Sequence, residues 1–217
     1  MRILVTGFEP FGADNANASA EAVARLAAGW SHPGLELATA TLPVVFGEVE
    51  SVLVGAITDS RPDLIVGVGE AGCRGELTPE RYGRNRIEAR IPDNSGTSPS
   101  GPIREPGPER LTTRFEVEAV VGELRAAGLP ASVSEDAGGF LCNHLAYLLY
   151  ERTEPTLFVH VPAARSGAMV TVGGETDGPG ETAHPALDPG SALDFDDIMT
   201  GLELIVRHCA AAAASLS

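Results

Sequence analysis

Apolar and polar positions follow two rhythms along this chain. Residues 2–6 form a short apolar run that reads as a buried strand. Residues 63–69, DLIVGVG, form a second run bounded by glycines, as expected of a parallel strand covered on both faces. Residues 35–44, LELATATLPV, and 85–92, NRIEARIP, alternate with a period of two, and shorter strands are expected at 131–136 and 156–162. Between these runs the spacing is helical. One helix is predicted over 19–30, with Ser19 as N-cap and Ala22, Leu26 and Ala27 on one face. Others are predicted over 47–62, stopped by Pro62, over 112–128, over 142–152 with Leu145, Leu148 and Leu149 in register, and over about 195–214. Residues 93–109 are rich in Pro, Gly and Ser and read as a long loop, and 163–192 are weakly patterned around GGETDGPGET. Strands alternating with helices predict an α/β fold: three layers, α/β/α, with a mostly parallel (mixed) central sheet. No repeat or linker divides residues 1–217, so a single domain is expected, with a loop insertion at about 163–192.

The opening segment VTGFEPFG, residues 5–12, joins a strand to a helix through glycines and invites a dinucleotide-binding reading. That reading needs G-x-G-x-x-G, whose glycines let backbone approach a pyrophosphate. Here Phe8, Pro10 and Phe11 fill the space between Gly7 and Gly12, and Pro10 lacks a backbone donor. The second predicted strand runs into LPVVF rather than an acidic residue for a ribose. Taken alone, Phe8 and Phe11 read as core. The loop nevertheless follows the carboxyl end of the first strand, where ligands bind in open α/β sheets. Two rings beside glycines there would form a flat apolar slot for a small ring.

Charge and cysteine content narrow the chemistry. The formal net charge of −15 opposes binding to nucleic acid or anionic lipid. No apolar run reaches the ~18 residues of a membrane span and no signal peptide is evident, so a cytoplasmic protein is expected. Cys73, Cys142 and Cys209 include no CxxC, which argues against a disulfide framework or a zinc site and leaves room for one reactive thiol. Neither a metal nor a cofactor is expected. The segment GGFLCNHLAY, residues 138–147, places Cys142 where a helix begins. The dipole there favours the thiolate, and the first backbone amides can hold an oxyanion. A thiol nucleophile needs a base. His144, two residues on, points away from Cys142 on a helix. His160 ends the strand TLFVH and would reach the same sheet edge if that strand lay parallel beside the one before Cys142. His32, His184 and His208 read as exposed. An orienting acid would complete a triad, but spacing alone does not choose it; Glu80 is one candidate after the second glycine-bounded strand.

Four blocks, in this order, resemble the pyrrolidone carboxyl peptidases, or pyroglutamyl peptidases I, a family of cysteine peptidases. They are VTGFEPFG (5–12), LTPERYGRNRIEARIPDN (77–94), SEDAGGFLCNHLAYLL (134–149) and FVHVP (158–162). The resemblance implies a cysteine exopeptidase that removes N-terminal pyroglutamate through a triad of Cys142, His160 and Glu80. It implies that Phe8 and Phe11 wall a pocket for the lactam ring, and that Arg90 helps hold the oxyanion or orders its loop. The expected partners are peptides with N-terminal pyroglutamate and further copies of the chain, as a dimer or tetramer. The chain departs from the family pattern in three places. Glu70 stands where many bacterial members carry a glutamine resembling a lactam-recognition residue, and an ionised Glu can only accept hydrogen bonds. NANAS (15–19) replaces the usual Asn-Pro-Ser but keeps Asn17, which could still fix the first loop. The stretch after HVP is longer than expected. Two alternatives follow: a thiol hydrolase for another small cyclic or N-blocked amide, or a non-catalytic binding protein on the same scaffold.

Overall fold

The computed structural model describes residues 1–12, 14–72, 74–164 and 193–215. The predicted loop insertion and His184 lie outside these residues, apart from the insertion's first two positions. Four strands are parallel: β1 (Arg2–Phe8), β2 (Glu36–Leu42), β3 (Leu64–Ala71) and β9 (Thr156–Pro162). β4 (Thr78–Glu80) joins them antiparallel, giving the order β2-β1-β3-β9-β4. Helices α1 (Ala18–Gly29), α3 (Val117–Ala126) and α5 (Phe195–Ala213) cover one face, while α2 (Val49–Ser60) and α4 (Leu141–Tyr150) cover the other.

Strand alternation divides the core between these layers. Ile3, Val5, Leu64, Val66, Val68, Leu157, Val159 and Val161 face α1, α3 and α5. Leu4, Phe8, Ile65 and Phe158 face α2 and α4. Both faces are covered, so the central strands read as near-continuous apolar runs. Each fully buried aliphatic side chain contributes ~1.5–3 kcal/mol relative to exposure. Close approach of the layers depends on missing side chains: a Cβ at Gly7 would lie 2.9 Å from the Ala20 backbone. One at Gly67 would lie 2.7 Å from Leu149 Cδ1.

Several local expectations change. The N-cap of α1 is Asn17, whose side chain accepts the Ser19 amide at 3.0 Å. Ser19 instead turns inward, and its hydroxyl accepts the Phe8 amide at 2.9 Å. The alternating segment 85–92 contributes only β6 (Ile87–Glu88), paired with β7 (Ser100–Gly101) inside the expected loop. The first residue of the predicted 112–128 helix, Thr112, ends β8 (Arg110–Thr112), which pairs with β5 (Tyr82–Arg84), and the helix itself starts at Val117. Segment 131–136 makes only single bridges, Ala131 to Leu77 and Ser134 to Glu80. It runs parallel along the outer edge of β4, where the Ser132 and Ser134 amides donate to the Leu77 and Pro79 carbonyls at 3.1 and 3.0 Å, and it forms no continuous ladder there or beside β9. His160 therefore reaches its place by another route: β9 lies parallel to β3 and antiparallel to β4.

Candidate active site

Alternation along β9 turns Phe158 and His160 toward the α4 layer, and His160 pairs in register with Gly69 of β3. The bare backbone at Gly69 leaves room for three groups. A Cβ built there would lie 2.7 Å from Phe158 Cζ, 2.8 Å from Cys142 Sγ and 3.4 Å from His160 Cδ2. The thiol and the ring edge next to His160 Nε2 thus converge on one point of the sheet. A side chain at position 69 would occupy the space they share.

The antiparallel pairing of β4 with β9 sets Thr78 opposite His160 and Glu80 opposite Phe158. Glu80 is therefore the diagonal neighbour of His160 on the same face, within reach of a polar contact. His160 Nδ1 lies 2.7 Å from Glu80 Oε1, with both side chains buried. A carboxylate fixes Nδ1 as the protonated nitrogen and leaves Nε2 as the basic one. The same oxygen accepts from Arg74 Nη1 at 2.7 Å. Burial opposes ionisation of Glu80. The hydrogen bond and charge of His160, the charge of Arg74 and the nearby Ser134 hydroxyl outweigh it and hold the carboxyl below its ordinary range. Tyr150, one α4 face below, donates its hydroxyl to the Glu80 carbonyl at 2.6 Å and accepts the Phe158 amide at 3.1 Å. That hydroxyl bridges β4 and β9 at the residue pair carrying the acid.

Cys142 is the second residue of α4. The N-cap, Phe140, supplies no side-chain hydrogen bond, so the amides of the first turn have no intrahelical acceptor. Gly138 (φ 82°) makes the turn into the helix, and Gly139 is fixed by the Glu88 amide, which donates to its carbonyl at 2.8 Å. Asn143, fully buried, accepts the Arg84 amide at 2.8 Å and donates to the Arg84 and Arg86 carbonyls at 2.9 and 2.8 Å. The helix start is thereby fastened to the 84–88 segment.

Beside this end of α4 stands an aromatic cluster. Phe11 and Phe140 have ring centroids 5.2 Å apart, and Phe140 meets Phe46 edge-on at 5.1 Å. His144 stacks on Phe46 at 5.6 Å. Burial holds its imidazole at a pKa of about 4. Its neutral ring is part of this wall. Phe11 is half-buried, whereas Phe8 is 2% exposed and sits in the core beneath it. Asn94 and Asp93 hold the loops: Asn94 donates to Glu9 Oε1 and to the Pro10 carbonyl at 2.8 and 3.0 Å. Asp93 accepts the Phe46 amide at 2.9 Å.

The remaining sequence candidates take distinct places. Asn17 donates to the Glu9 carbonyl at 3.0 Å, tying the α1 start to the first loop. The Glu70 carboxylate accepts the Ala18 amide at the α1 N-terminus, where a negative charge is favoured. Arg90 is exposed in the β6–β7 connection and makes no hydrogen bond or ion pair among the described residues. Cys209 is fully buried in the α5 layer, and burial pushes its thiol up, which leaves it a core residue.

Comparison with known proteins bears on this geometry. The sequence model of the pyroglutamyl peptidase family matches residues 1–173. The chain belongs to the pyroglutamyl peptidase family. It is 42% identical to a pyrrolidone-carboxylate peptidase of Bacillus licheniformis over 168 residues, 74% of this chain and 78% of that one. It is 36% identical to one of Yersinia pestis over 214 residues, 95% and 94% of the two chains. In structure it resembles pyroglutamyl peptidase I of Bacillus amyloliquefaciens, with a TM-score of 0.78, 34% identity and 94% of each chain covered. A mutant pyrrolidone carboxyl peptidase of Pyrococcus furiosus gives a TM-score of 0.84 at 26% identity, over 98% of this chain and 100% of that one.

In this pyroglutamyl peptidase family member, sequence reasoning passed over Arg74, Tyr150, Phe46 and Phe140. Phe140 stands in a quoted block two residues before Cys142, and Arg74 lies six residues before Glu80. Nothing in periodicity signals that Arg74 is 8% exposed and aimed at a carboxylate.

Proposed function

We propose that the chain hydrolyses the amide bond after an N-terminal pyroglutamyl residue, with Cys142, His160 and Glu80 as its triad. Cys142 Sγ attacks the pyroglutamyl carbonyl as its proton passes to His160 Nε2. The α4 dipole favours the thiolate, and first-turn amides of α4 receive the developing oxyanion. His160 returns the proton to the departing amine, and the C–N bond breaks to leave a thioester on Cys142. Water, deprotonated by His160, attacks the thioester; pyroglutamate leaves and the thiol is restored. Glu80 holds the ring by Nδ1 and balances the imidazolium charge. Phe11, Phe46 and Phe140 offer the apolar wall that an uncharged lactam needs.

The observation that carries this reading is the convergence of Cys142 Sγ and His160 over Gly69, with Glu80 2.7 Å from the far ring nitrogen. No described helix is long and apolar enough to cross a membrane. A cytoplasmic, reducing setting suits a free catalytic thiol, and a homo-oligomer is part of the same reading. The test is release of a fluorophore from a pyroglutamyl amide in reducing buffer, comparing wild type with Cys142→Ser. Turnover lost in the variant supports the reading. An inactive wild type whose Cys142 still alkylates rapidly would keep the thiol site and overturn the substrate.

A further inference from the structure

We propose that Arg74 is a positioning residue of the catalytic site: its guanidinium holds Glu80 as a carboxylate and neutralises it, so that a thiolate–imidazolium pair can form beside it. This deepens the proposed function and rests on the Cys142–His160–Glu80 assignment.

The geometry is specific. Arg74 is 8% exposed and enters the site from the β3–β4 connection. Its Nη1 donates to Thr78 Oγ1 at 2.6 Å and to Glu80 Oε1 at 2.7 Å, and its Nη2 donates to the Asp136 carbonyl at 2.9 Å. Asp136 lies on the segment leading to Cys142, so the guanidinium ties the acid's strand to the approach of the nucleophile. Arg74 and His160 share one carboxylate oxygen, while Glu80 Oε2 is buried with no hydrogen-bond partner among the described residues. An ionised carboxylate so enclosed is costly unless a cation compensates it. His160 supplies such a charge only when protonated, whereas Arg74 supplies it whatever the state of the imidazole. The Arg74 guanidinium remains protonated under all working conditions.

Several groups among the described residues face Glu80. They are His160 from β9, Arg74 and Thr78 from the β3–β4 segment, the Ser134 hydroxyl, and the Tyr150 hydroxyl of α4 at the backbone carbonyl. With Cys142 as thiolate and His160 as imidazolium, the charges of these two and of Glu80 and Arg74 balance in pairs. Loss of the Arg74 charge has two outcomes. If Glu80 stays ionised, the site carries an extra negative charge that opposes the thiolate. If Glu80 takes up a proton, the imidazolium loses its counter-ion. Both move formation of the thiolate–imidazolium pair to higher pH.

The test reads the pair without substrate. The alkylation rate of Cys142 by iodoacetamide, followed by mass spectrometry of its peptide, is measured against pH for wild type, Arg74→Gln and Arg74→Lys. For Arg74→Gln the midpoint of the acid limb should rise by roughly 1 pH unit. The kcat/KM for a pyroglutamyl amide should fall ~10-fold or more at neutral pH, with the same displaced limb. Arg74→Lys, which keeps the charge, should hold its midpoint within a few tenths of wild type. A folded Arg74→Gln with an unmoved midpoint overturns the proposal, since a merely structural role would change stability and not the profile. Should Arg74→Gln fail to fold, Arg74→Lys decides: a midpoint displaced as far as a full unit would overturn it. If wild type alkylates with a clear acid limb but cleaves no pyroglutamyl amide, the substrate reading fails while the Arg74 test stands.

Discussion

Adding one methyl group at Gly69 should separate the thiol from its base. The Cβ of Gly69→Ala would stand 2.8 Å from Cys142 Sγ and 2.7 Å from Phe158 Cζ, against an ordinary contact of about 3.5–4.0 Å. Phe158 is fully buried and cannot retreat cheaply, so the Cys142 side chain must give way by about 1 Å. His160 Cδ2, at 3.4 Å, would hold its place within a few tenths of an ångström. A displacement of this size between reacting groups costs on the order of 100-fold in rate. Overpacking should cost ~1–3 kcal/mol of stability, which at this chain length lowers Tm by roughly 2–12 °C. The assay is kcat/KM for a fluorogenic pyroglutamyl amide beside a thermal melt. Gly55→Ala is the control: it lies exposed in α2 with nothing within 4 Å of its added Cβ, and should keep activity while gaining ~0.5–1 kcal/mol. A Gly69→Ala protein that melts cooperatively and turns over like wild type would refute the placement of Sγ and the imidazole over this residue.

Other perturbations test the supports around the proposed triad. Tyr150→Phe removes the hydroxyl shared by the Glu80 carbonyl and the Phe158 amide, leaving both buried and unpaired there; chemical denaturation should find it less stable by ~1–3 kcal/mol. His144 is buried with its pKa lowered from 6.5 to about 4, so folding favours its neutral form. Stability from this group is complete above pH 6.5 and drains as pH falls toward 4, by up to about 3 kcal/mol. His144→Phe should flatten the stability–pH curve across that window, and an unchanged curve would contradict the burial of this ring. Glu70→Gln keeps an acceptor for the Ala18 amide but loses the charge at the α1 N-terminus; urea titration should show a loss of about 0.3–1 kcal/mol.

Much of the scaffold is legible in the sequence because the parallel strands are covered on both faces. Residues 2–6, 63–69 and 156–162 all read as strands, and each lies in the central sheet. The helices at 47–62 and 142–152 are found within two residues of their observed ends. Legibility falls where tertiary pairing overrides local pattern. β4, three residues long and containing Pro79, has no periodicity to betray it, yet it carries Glu80 to His160. Segment 131–136 has the alternation of a strand but meets the outer edge of β4 only in isolated bridges. Cys142 is marked by its place at a helix start after two glycines. Glu80 is one candidate by position and is singled out only through resemblance, because a diagonal β-pair joins residues 80 positions apart in the chain. Arg74 is hidden for the same reason: its role depends on what it touches.

In the proposed mechanism Cys142 forms the bond to the pyroglutamyl carbonyl. The most direct test of this step is acid quenching of the enzyme during turnover of a pyroglutamyl substrate, followed by mass spectrometry of the Cys142 peptide. One added pyroglutamyl group is expected on that peptide, none on the peptide of Cys209, and no turnover in Cys142→Ala. Sustained hydrolysis by Cys142→Ala would contradict the mechanism.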